Sequence, residues 1–282
     1  MKDPECVALL RSSAVRLGLS WQGFRNVHGQ VCKRIRRRIA ALGLPDLSAY
    51  QALLDSGPAE WLELERLCAV TISRFYRDAL MWQRLRDELL PALAQAAIDA
   101  GEDSLRCWSI GCASGEEPYT LSIVWALQLA RQYPALRLRI LATDLGEDVL
   151  ARARDARYAA ATLAELPEPL RARAFQRDGA LFQLRTELRA PVELRRSDLR
   201  RELPAETFRL LLCRNNVFTY FHEAEQRRTL ERLSTRLAAG GALVLGRGES
   251  LPAGAALDAV ILASEPPPRH RAGWRCLPRT PA

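Results

Sequence analysis

A glycine-rich turn between an apolar strand and a helix is the feature that most constrains this sequence. Residues 105–110 form an apolar, strand-like run, and Gly111 and Gly115 follow it before a helical pattern begins. Glycine accepts backbone conformations that other residues avoid, so the chain can turn sharply here and approach a ligand closely. We expect Ser114 to cap the helix and Pro118 to lie in its first turn.

Two carboxylates occupy the mouth of this turn. Glu116 and Glu117 directly follow Gly115, at a helix N-terminus whose free N–H groups usually favour phosphate. Carboxylates at this position repel a pyrophosphate and favour a ligand that carries positive charge. S-adenosylmethionine (SAM) carries an ammonium and a sulfonium group, so it is the cofactor that the turn predicts. Alternatively, the two acids only stabilise the first turn of the helix, by about 0.3–1 kcal/mol each.

The second part of the chain alternates strands with helices. Strand-like runs at 105–110, 136–142, 208–213 and 242–246 are separated by helical patterns. This order predicts an α/β fold with a doubly wound, Rossmann-like parallel sheet, in which ligands bind beyond the carboxyl ends of the strands. Asp144 ends the second strand, where a carboxylate can accept both hydroxyls of a ribose. Its alternative role is to cap the helix that follows.

The chain is predicted to form two domains. Residues 1–92 have a helical pattern throughout and form an all-α N-terminal domain, whereas residues 93–282 form the α/β domain. The segment 71–78, Thr-Ile-Ser-Arg-Phe-Tyr-Arg-Asp, interrupts the helical pattern and is interpreted as a linker. Alternating apolar residues around Asp178-Gly179 predict a small antiparallel β-hairpin insertion at about 163–199.

One helix of the N-terminal domain, at about 30–42, is strongly basic. Apolar residues recur on it at helical spacing, and its other faces carry no acid but the five cations Lys33, Arg34, Arg36, Arg37 and Arg38. We interpret the helix as a docking surface for an acidic helical protein; alternatively, its cations face solvent or the rest of their own domain. Nucleic acid is an unlikely partner, because the sequence has neither a base-pocket motif nor an interleaved basic–aromatic platform.

The composition excludes several classes of protein. No apolar run is long enough to span a bilayer and no signal-peptide core is present, so we expect a cytoplasmic protein without membrane insertion. The three histidines are not at ligand spacing, and no metal site is expected. The seven cysteines include no Cys-x-x-Cys pair and are predicted to be reduced, mostly packed thiols.

Several motifs, taken in order, resemble those of the CheR family of chemotaxis-receptor glutamate methyltransferases. They are Gly115-Glu-Glu-Pro-Tyr119, Ala142-Thr-Asp144, Cys213-Arg-Asn215 and Tyr220-Phe221. The basic helix, the linker segment and the hairpin insertion fall where that family has its receptor-facing helix, its Phe-Phe-Arg segment and its β-subdomain. The resemblance therefore covers nearly the whole chain.

The resemblance implies the residues of the site. Arg77 and Tyr220 would be catalytic: Arg77 would orient the incoming carboxylate, and Tyr220 would lie near the transferred methyl group. Glu117, together with Glu116, would hold the methionine ammonium, and Asp144 would bind the ribose. In full, the implied cofactor-binding residues are Thr71, Ser73, Arg77, Gly111, Gly115, Glu116, Glu117, Asp144, Asp198 and Leu199 beside the adenine, and Arg214 and Asn215 closing the site.

The implied activity is that of a SAM-dependent protein-glutamate O-methyltransferase. Methyl groups would pass to glutamate side chains in the cytoplasmic region of a chemoreceptor-like protein, leaving S-adenosylhomocysteine (SAH). A glutamate side chain is already an anionic nucleophile at neutral pH, so the site needs alignment more than it needs a base. The alternatives are a CheR-like enzyme that methylates another protein or a small carboxylate, and a non-catalytic SAM-binding adaptor.

The chain departs from the family pattern in three places. Thr71 and Ser73 replace the Asn and Thr of the family's Asn-x-Thr-x-Phe-Phe-Arg segment, which keeps hydroxyls but loses an amide. Four residues separate Asn215 from Tyr220, where the family usually has three. The hairpin near Asp178-Gly179 lacks the glycine-rich loop of members that dock on a receptor's C-terminal tether peptide. We therefore expect a methyltransferase that does not depend on such a tether.

Overall fold

The computed structural model describes residues 3–25, 27–70, 73–255, 257, 260–262 and 275–276. The chain forms two compact units: Met1–Val70 with Asn216–Gln226, and Thr71–Asn215 with Arg227–Ala282. The division falls after residue 70, whereas the sequence pattern places it after residue 92. The reason is that Trp82, Leu85 and Leu89 are buried in the core of the second unit.

Within the described residues, the regular structure of the first unit consists of helices and one isolated antiparallel bridge, between Leu19 and Phe221. In chain order the helices of the protein are α1 (Asp3–Ala14), α2 (Trp21–Phe24), α3 (His28–Ala41), α4 (Leu47–Ser56), α5 (Pro58–Cys68), α6 (Ala79–Arg84), α7 (Leu90–Asp99), α8 (Glu116–Val124), α9 (Glu147–Asp155), α10 (Glu168–Ala174), α11 (Thr186–Arg189), α12 (Val217–Tyr220) and α13 (Glu223–Ser234). A π-helical turn joins α6 to α7, and another follows α8. Among the described residues, no helix has the length and apolar character needed to cross a membrane.

The basic helix α3 packs as its spacing predicts, with Val31, Ile35 and Ile39 buried. Its cations do not form one uniform surface, however. Arg38 forms a two-point ion pair with Glu60, at 3.0 and 2.7 Å, and Arg34 donates to the carbonyl oxygens of Leu67 and Ala69. Lys33 and Arg37 are exposed. The intradomain alternative therefore holds for Arg34 and Arg38, because their guanidinium groups bind the protein itself.

A disulfide bond between Cys6 and Cys32 links α1 to α3. The prediction that all cysteines are reduced is therefore wrong for this pair. The sequence separation of 26 conceals the pairing, because it depends on how α1 packs against α3. Cys68, Cys107 and Cys112 are buried thiols, as expected.

The described part of the second unit contains ten strands. They are β1 (Ser104–Ile110), β2 (Arg137–Asp144), β3 (Arg157–Ala159), β4 (Phe175–Asp178), β5 (Leu181–Leu184), β6 (Val192–Arg196), β7 (Phe208–Cys213), β8 (Leu237–Leu245), β9 (Val260–Leu262) and β10 (Arg275–Cys276). Seven of them form one sheet in the order β10-β9-β8-β7-β1-β2-β6. All neighbours in it are parallel except β9 and β10. The chain builds outward from β1 in one direction and from β7 in the other, which confirms the doubly wound α/β fold.

The remaining strands form a small antiparallel sheet in the order β3-β5-β4. Gly179, with a φ of +61°, lies in the tight turn between β4 and β5, so the predicted hairpin is present. The small sheet spans 157–184 and not 163–199, however: β3 precedes the predicted start, and β6 pairs with β2 of the parallel sheet. Val192 and Leu194 would alternate with polar residues whether their strand joined the small antiparallel sheet or the parallel one. The pattern alone could therefore not identify the partner strand.

We predict that reduction of the Cys6–Cys32 disulfide lowers the free energy of unfolding of the first unit. Opening a cross-link of this length restores conformational freedom to the unfolded chain, for a loss of about 3 kcal/mol. Urea unfolding with and without dithiothreitol measures the difference. The Cys6→Ala/Cys32→Ala protein is the control, since reductant should leave its unfolding unchanged. Equal wild-type curves in both conditions would contradict the prediction.

Candidate functional site

The turn after β1 lies at the carboxyl edge of the parallel sheet. Gly111, with a φ of +73°, begins the turn, and its amide and that of Cys112 donate to the carbonyl oxygen of Thr143 at 2.8 and 2.9 Å. Gly115, with a φ of +90°, is the N-cap residue of α8. The prediction that Ser114 caps this helix is therefore wrong: its hydroxyl accepts a hydrogen bond from Arg152 at 3.2 Å.

Asp144 connects the first two strand ends of the site. Its Oδ2 accepts from the amide of Ala113 at 2.9 Å, and its Oδ1 accepts from the amide of Gly146 at 2.9 Å. Burial raises the pKa of Asp144, against these hydrogen bonds. Each carboxylate oxygen has a second lone pair. The residue can thus hold the two loops together and still accept hydrogen bonds from a ligand.

Arg214, directly after β7, joins three separate motifs. Its Nη1 donates to Oε2 of Glu117 at 3.1 Å, and its Nη2 donates to Oδ2 of Asp78 at 2.6 Å and to the carbonyl oxygen of Arg77 at 3.1 Å. Only 4% of the Arg214 side chain is exposed. The other oxygen of Glu117 accepts from the hydroxyl of Ser109 at 2.8 Å. One buried guanidinium therefore binds two carboxylates, and this group of three side chains carries a net negative charge.

The neighbouring acid, Glu116, is in a different situation. It is only 5% exposed, and its Oε2 is buried without a hydrogen-bond partner among the described residues. Burial raises the pKa of Glu116 to about 7, although a hydrogen bond with Ser73 and the charge of Arg152 act to lower it. A buried oxygen left without a donor is costly. Glu116 is thus the acid whose remaining hydrogen-bonding capacity suits a cationic ligand.

A further acid, Glu249, lies at the end of the site formed by β7 and β8. Its Oε2 accepts from the amides of Asn215 at 2.8 Å and Gly246 at 2.6 Å. Its negative charge acts to raise the pKa of Glu117, which burial also raises. Sequence reasoning missed Glu249 and Asp78. Two signals were available in the sequence. Glu249 lies three residues beyond Gly246, near which an apolar run ends, and Asp78 directly follows Arg77.

Other predicted site residues are distributed unevenly. Ser73 is hydrogen-bonded to Glu116. Asn215, whose own amide donates to Glu249, has a left-handed φ of +53°. The carboxylate of Asp198 is held by Arg200 and by Arg201, at 3.2 and 3.4 Å.

The amide of Ser197 donates to the carbonyl oxygen of Asp144 at 3.1 Å, which brings the segment with Asp198 and the half-buried Leu199 to the end of β2. Thr71 lies outside the described residues. Tyr220 belongs to the first unit, where its ring packs against Phe24 at 5.2 Å.

Comparison with known proteins gives consistent results. A family model described as CheR methyltransferase, SAM binding domain, matches residues 71–262. A chemotaxis protein methyltransferase of Listeria monocytogenes is 32% identical over 189 residues, which cover 67% of this chain and 69% of that protein. One of Borreliella burgdorferi is 26% identical over 236 residues, covering 82% of this chain and 83% of that protein.

A much longer relative also matches. An uncharacterized 104.1 kDa protein of Rhodobacter capsulatus is 33% identical over 226 residues. The match covers 79% of this chain but only 23% of that protein. The chain thus corresponds to about a quarter of this longer relative and to most of the two chemotaxis methyltransferases.

We predict that Gly115→Ala destabilises the protein more than Gly101→Ala does. Both glycines have a positive φ, of +90° and +71°, but a Cβ on Gly115 would lie 2.7 Å from the Tyr119 ring, whereas one on Gly101 meets nothing within 4 Å. The steric difference should cost about 2 kcal/mol of unfolding free energy. Urea unfolding of both variants measures it. Equal losses would mean that the turn relaxes without strain.

Proposed function

The chain belongs to the CheR family of methyltransferases, and from that premise we propose that it transfers methyl groups from SAM to glutamate side chains of a chemoreceptor-like protein. The products would be glutamate methyl esters and SAH. SAM dependence follows from the family, whereas the glutamate acceptor is our proposal. The observation that supports the cofactor is the excess of carboxylate around Arg214 and Glu116, because this charge favours a cationic ligand. The names of the two chemotaxis methyltransferases support the acceptor.

The residues present fit SAM. The unpartnered Oε2 of Glu116 can accept from the methionine ammonium, which would satisfy a buried oxygen. Asp144 can accept ribose hydroxyls on its remaining lone pairs. Gly111 and Gly115 keep the backbone of the turn free of side chains. Glu117 is already paired with the positive charge of Arg214, whereas Glu116 has an oxygen without a donor, so we assign Glu117 to holding the turn and Glu116 to the direct contact.

The proposed mechanism depends on alignment. When bound, SAM supplies a methyl group on a sulfonium leaving group. An acceptor carboxylate is already ionised, so its oxygen can take the methyl group, with SAH as the leaving group, without help from a base. Arg77 would orient the acceptor carboxylate through charge-assisted hydrogen bonds. The buried surroundings of Glu116 and Glu117 would limit water at the reacting atoms. The role of Tyr220 as a hydrogen-bond donor beside the methyl group stays a prediction.

The partner in this proposal is an acidic helical protein. Lys33 and Arg37 are exposed on α3 and would supply the docking charge together with Arg36, whereas Arg34 and Arg38 are engaged within the unit. Independence from a tether peptide and a cytoplasmic location are parts of the same proposal. Two relatives carry the name chemotaxis protein methyltransferase, which supports a receptor substrate over another protein or a small carboxylate.

We predict that SAH binds about tenfold more weakly at pH 6 than at pH 8. With a pKa of about 7, Glu116 is mostly protonated at pH 6 and mostly ionised at pH 8, and only the ionised form attracts an ammonium group. Isothermal titration calorimetry at both pH values measures the affinities. Glu116→Gln should bind SAH weakly and with little pH dependence. A pH slope that persists in this variant would assign it to another acid.

We predict that the protein converts labelled SAM into base-labile methyl esters on a recombinant chemoreceptor cytoplasmic fragment that carries glutamates at its methylation sites. Released methanol distinguishes esters from N-methyl products. Arg77→Ala should lower the rate by at least about tenfold. Arg74→Ala is the matched control, because Arg74 lies in the same segment but pairs with Glu165 at the surface. Absence of methanol with the wild type would overturn the receptor assignment, and SAH binding without any transfer would favour an adaptor.

A further inference from the structure

The backbone on either side of Arg77 is unusual. Tyr76 has a φ of +59° and Asp78 a φ of +65°, so two non-glycine residues with left-handed backbone bracket Arg77. Residues other than glycine reach this region only at a cost in energy. Such conformations persist where the surrounding structure imposes them, and they cluster at functional sites. The question is which side chains impose them here.

Thr120 fixes the first of these residues. It is fully buried on α8, and its Oγ1 accepts from the amide of Tyr76 at 3.1 Å while its hydroxyl donates to the carbonyl oxygen of Glu116 at 2.6 Å. One hydroxyl thus links the segment that contains Arg77 to the first turn of the helix that carries Glu116 and Glu117. Tyr76 is itself buried, so its amide depends on the protein for an acceptor.

The second of these residues, Asp78, is held by contacts of its own side chain and backbone. Its carboxylate and the carbonyl oxygen of Arg77 bind the same nitrogen, Nη2 of Arg214, at 2.6 and 3.1 Å. Two acceptors from adjacent residues on one buried donor restrict the peptide that joins them. The carbonyl oxygen of Asp78 also accepts from the amides of Met81 and Trp82 at the start of α6.

Phe75 anchors the segment on its other side. Its ring packs edge-on against Tyr158 at 4.7 Å and Phe175 at 5.2 Å. Arg77 remains half-buried between these fixed points, so its backbone is held while its side chain reaches partly to solvent.

We propose that Thr120 and Asp78 are positioning residues that hold Arg77 in the orientation its reaction requires. The inference rests on the proposed function for the task of Arg77, but the two residues need not touch substrate. Their bonds act on the backbone at positions 76 to 78, so a loss of either lets Arg77 turn away from the reaction centre. The hydrogen bond of Thr120 and the ion pair of Asp78 are independent routes to the same effect.

Three single-residue variants test the proposal on the full chain, two of them also in the Arg77→Ala background. Thr120→Val keeps the shape but removes the acceptor, and Thr120→Ser keeps the hydroxyl. Asp78→Asn tolerates a left-handed backbone but loses the charge. We expect Thr120→Val to lower kcat on the receptor fragment about tenfold with the Kd for SAH within about twofold, and Thr120→Ser to restore most of kcat. Asp78→Asn should lower kcat by a similar factor and also weaken SAH binding, because it removes one of the negative charges of the site. In the Arg77→Ala background, neither substitution should lower kcat further.

The proposal would be overturned if the decreases in kcat caused by Thr120→Val and Asp78→Asn added fully to the decrease caused by Arg77→Ala. A Thr120→Val enzyme with wild-type kcat would overturn it as well. If Thr120→Val does not fold, the kcat of Asp78→Asn, measured alone and combined with Arg77→Ala, tests the proposal in the same way. A crystal structure gives a readout that needs no methyl-accepting substrate. We expect the φ of Tyr76 in Thr120→Val to leave the region near +59°, and a retained φ would contradict the inference. If the wild type methylates no receptor fragment, the proposed function fails while this structural test still applies.

Discussion

The guanidinium of Arg214 is the group on which the arrangement of the site depends. A buried cation is tolerated only when it is paired and hydrogen-bonded, and Arg214 is paired with Glu117 on α8 and with Asp78 before α6. Removal of Arg214 would leave two carboxylates without their cation, at a cost of about 3–5 kcal/mol. Residues 77, 117 and 214 are therefore brought to one place by one ionic group, although more than a hundred positions separate the first from the last.

The same group explains why the site carries excess negative charge. Two carboxylates bind one guanidinium, and Glu116 adds a third acid whose burial raises its pKa to about 7. A glycine turn at a helix N-terminus normally attracts phosphate through its N–H groups. Here the acids reverse that preference, so the same turn geometry serves a ligand with ammonium and sulfonium charge. Asp144 is compatible with this scheme because its carboxylate already binds two loop amides.

The sequence predicted local elements better than it predicted partners. The strand at 208–213 has the predicted bounds, and the buried face of α3 follows its helical spacing. Periodicity could not assign β6 to the parallel sheet, since a half-buried strand has the same alternation beside any neighbour. Nor could it predict the Cys6–Cys32 disulfide or the ion pair of Asp78 with Arg214. Each of these joins residues whose proximity depends on tertiary packing, which local pattern does not encode.

The two adjacent glutamates illustrate the same limit within a single motif. Consecutive residues on a helix point about 100° apart, so the two carboxylates of Glu116 and Glu117 cannot take the same partners. Glu117 meets Ser109 and Arg214, whereas Glu116 keeps one buried oxygen without a donor. The sequence gives no means of ranking them, and the resemblance favoured Glu117 for the ligand. The structure supplies the physical distinction on which our proposal rests: Glu117 is paired with Arg214, and Glu116 retains hydrogen-bonding capacity.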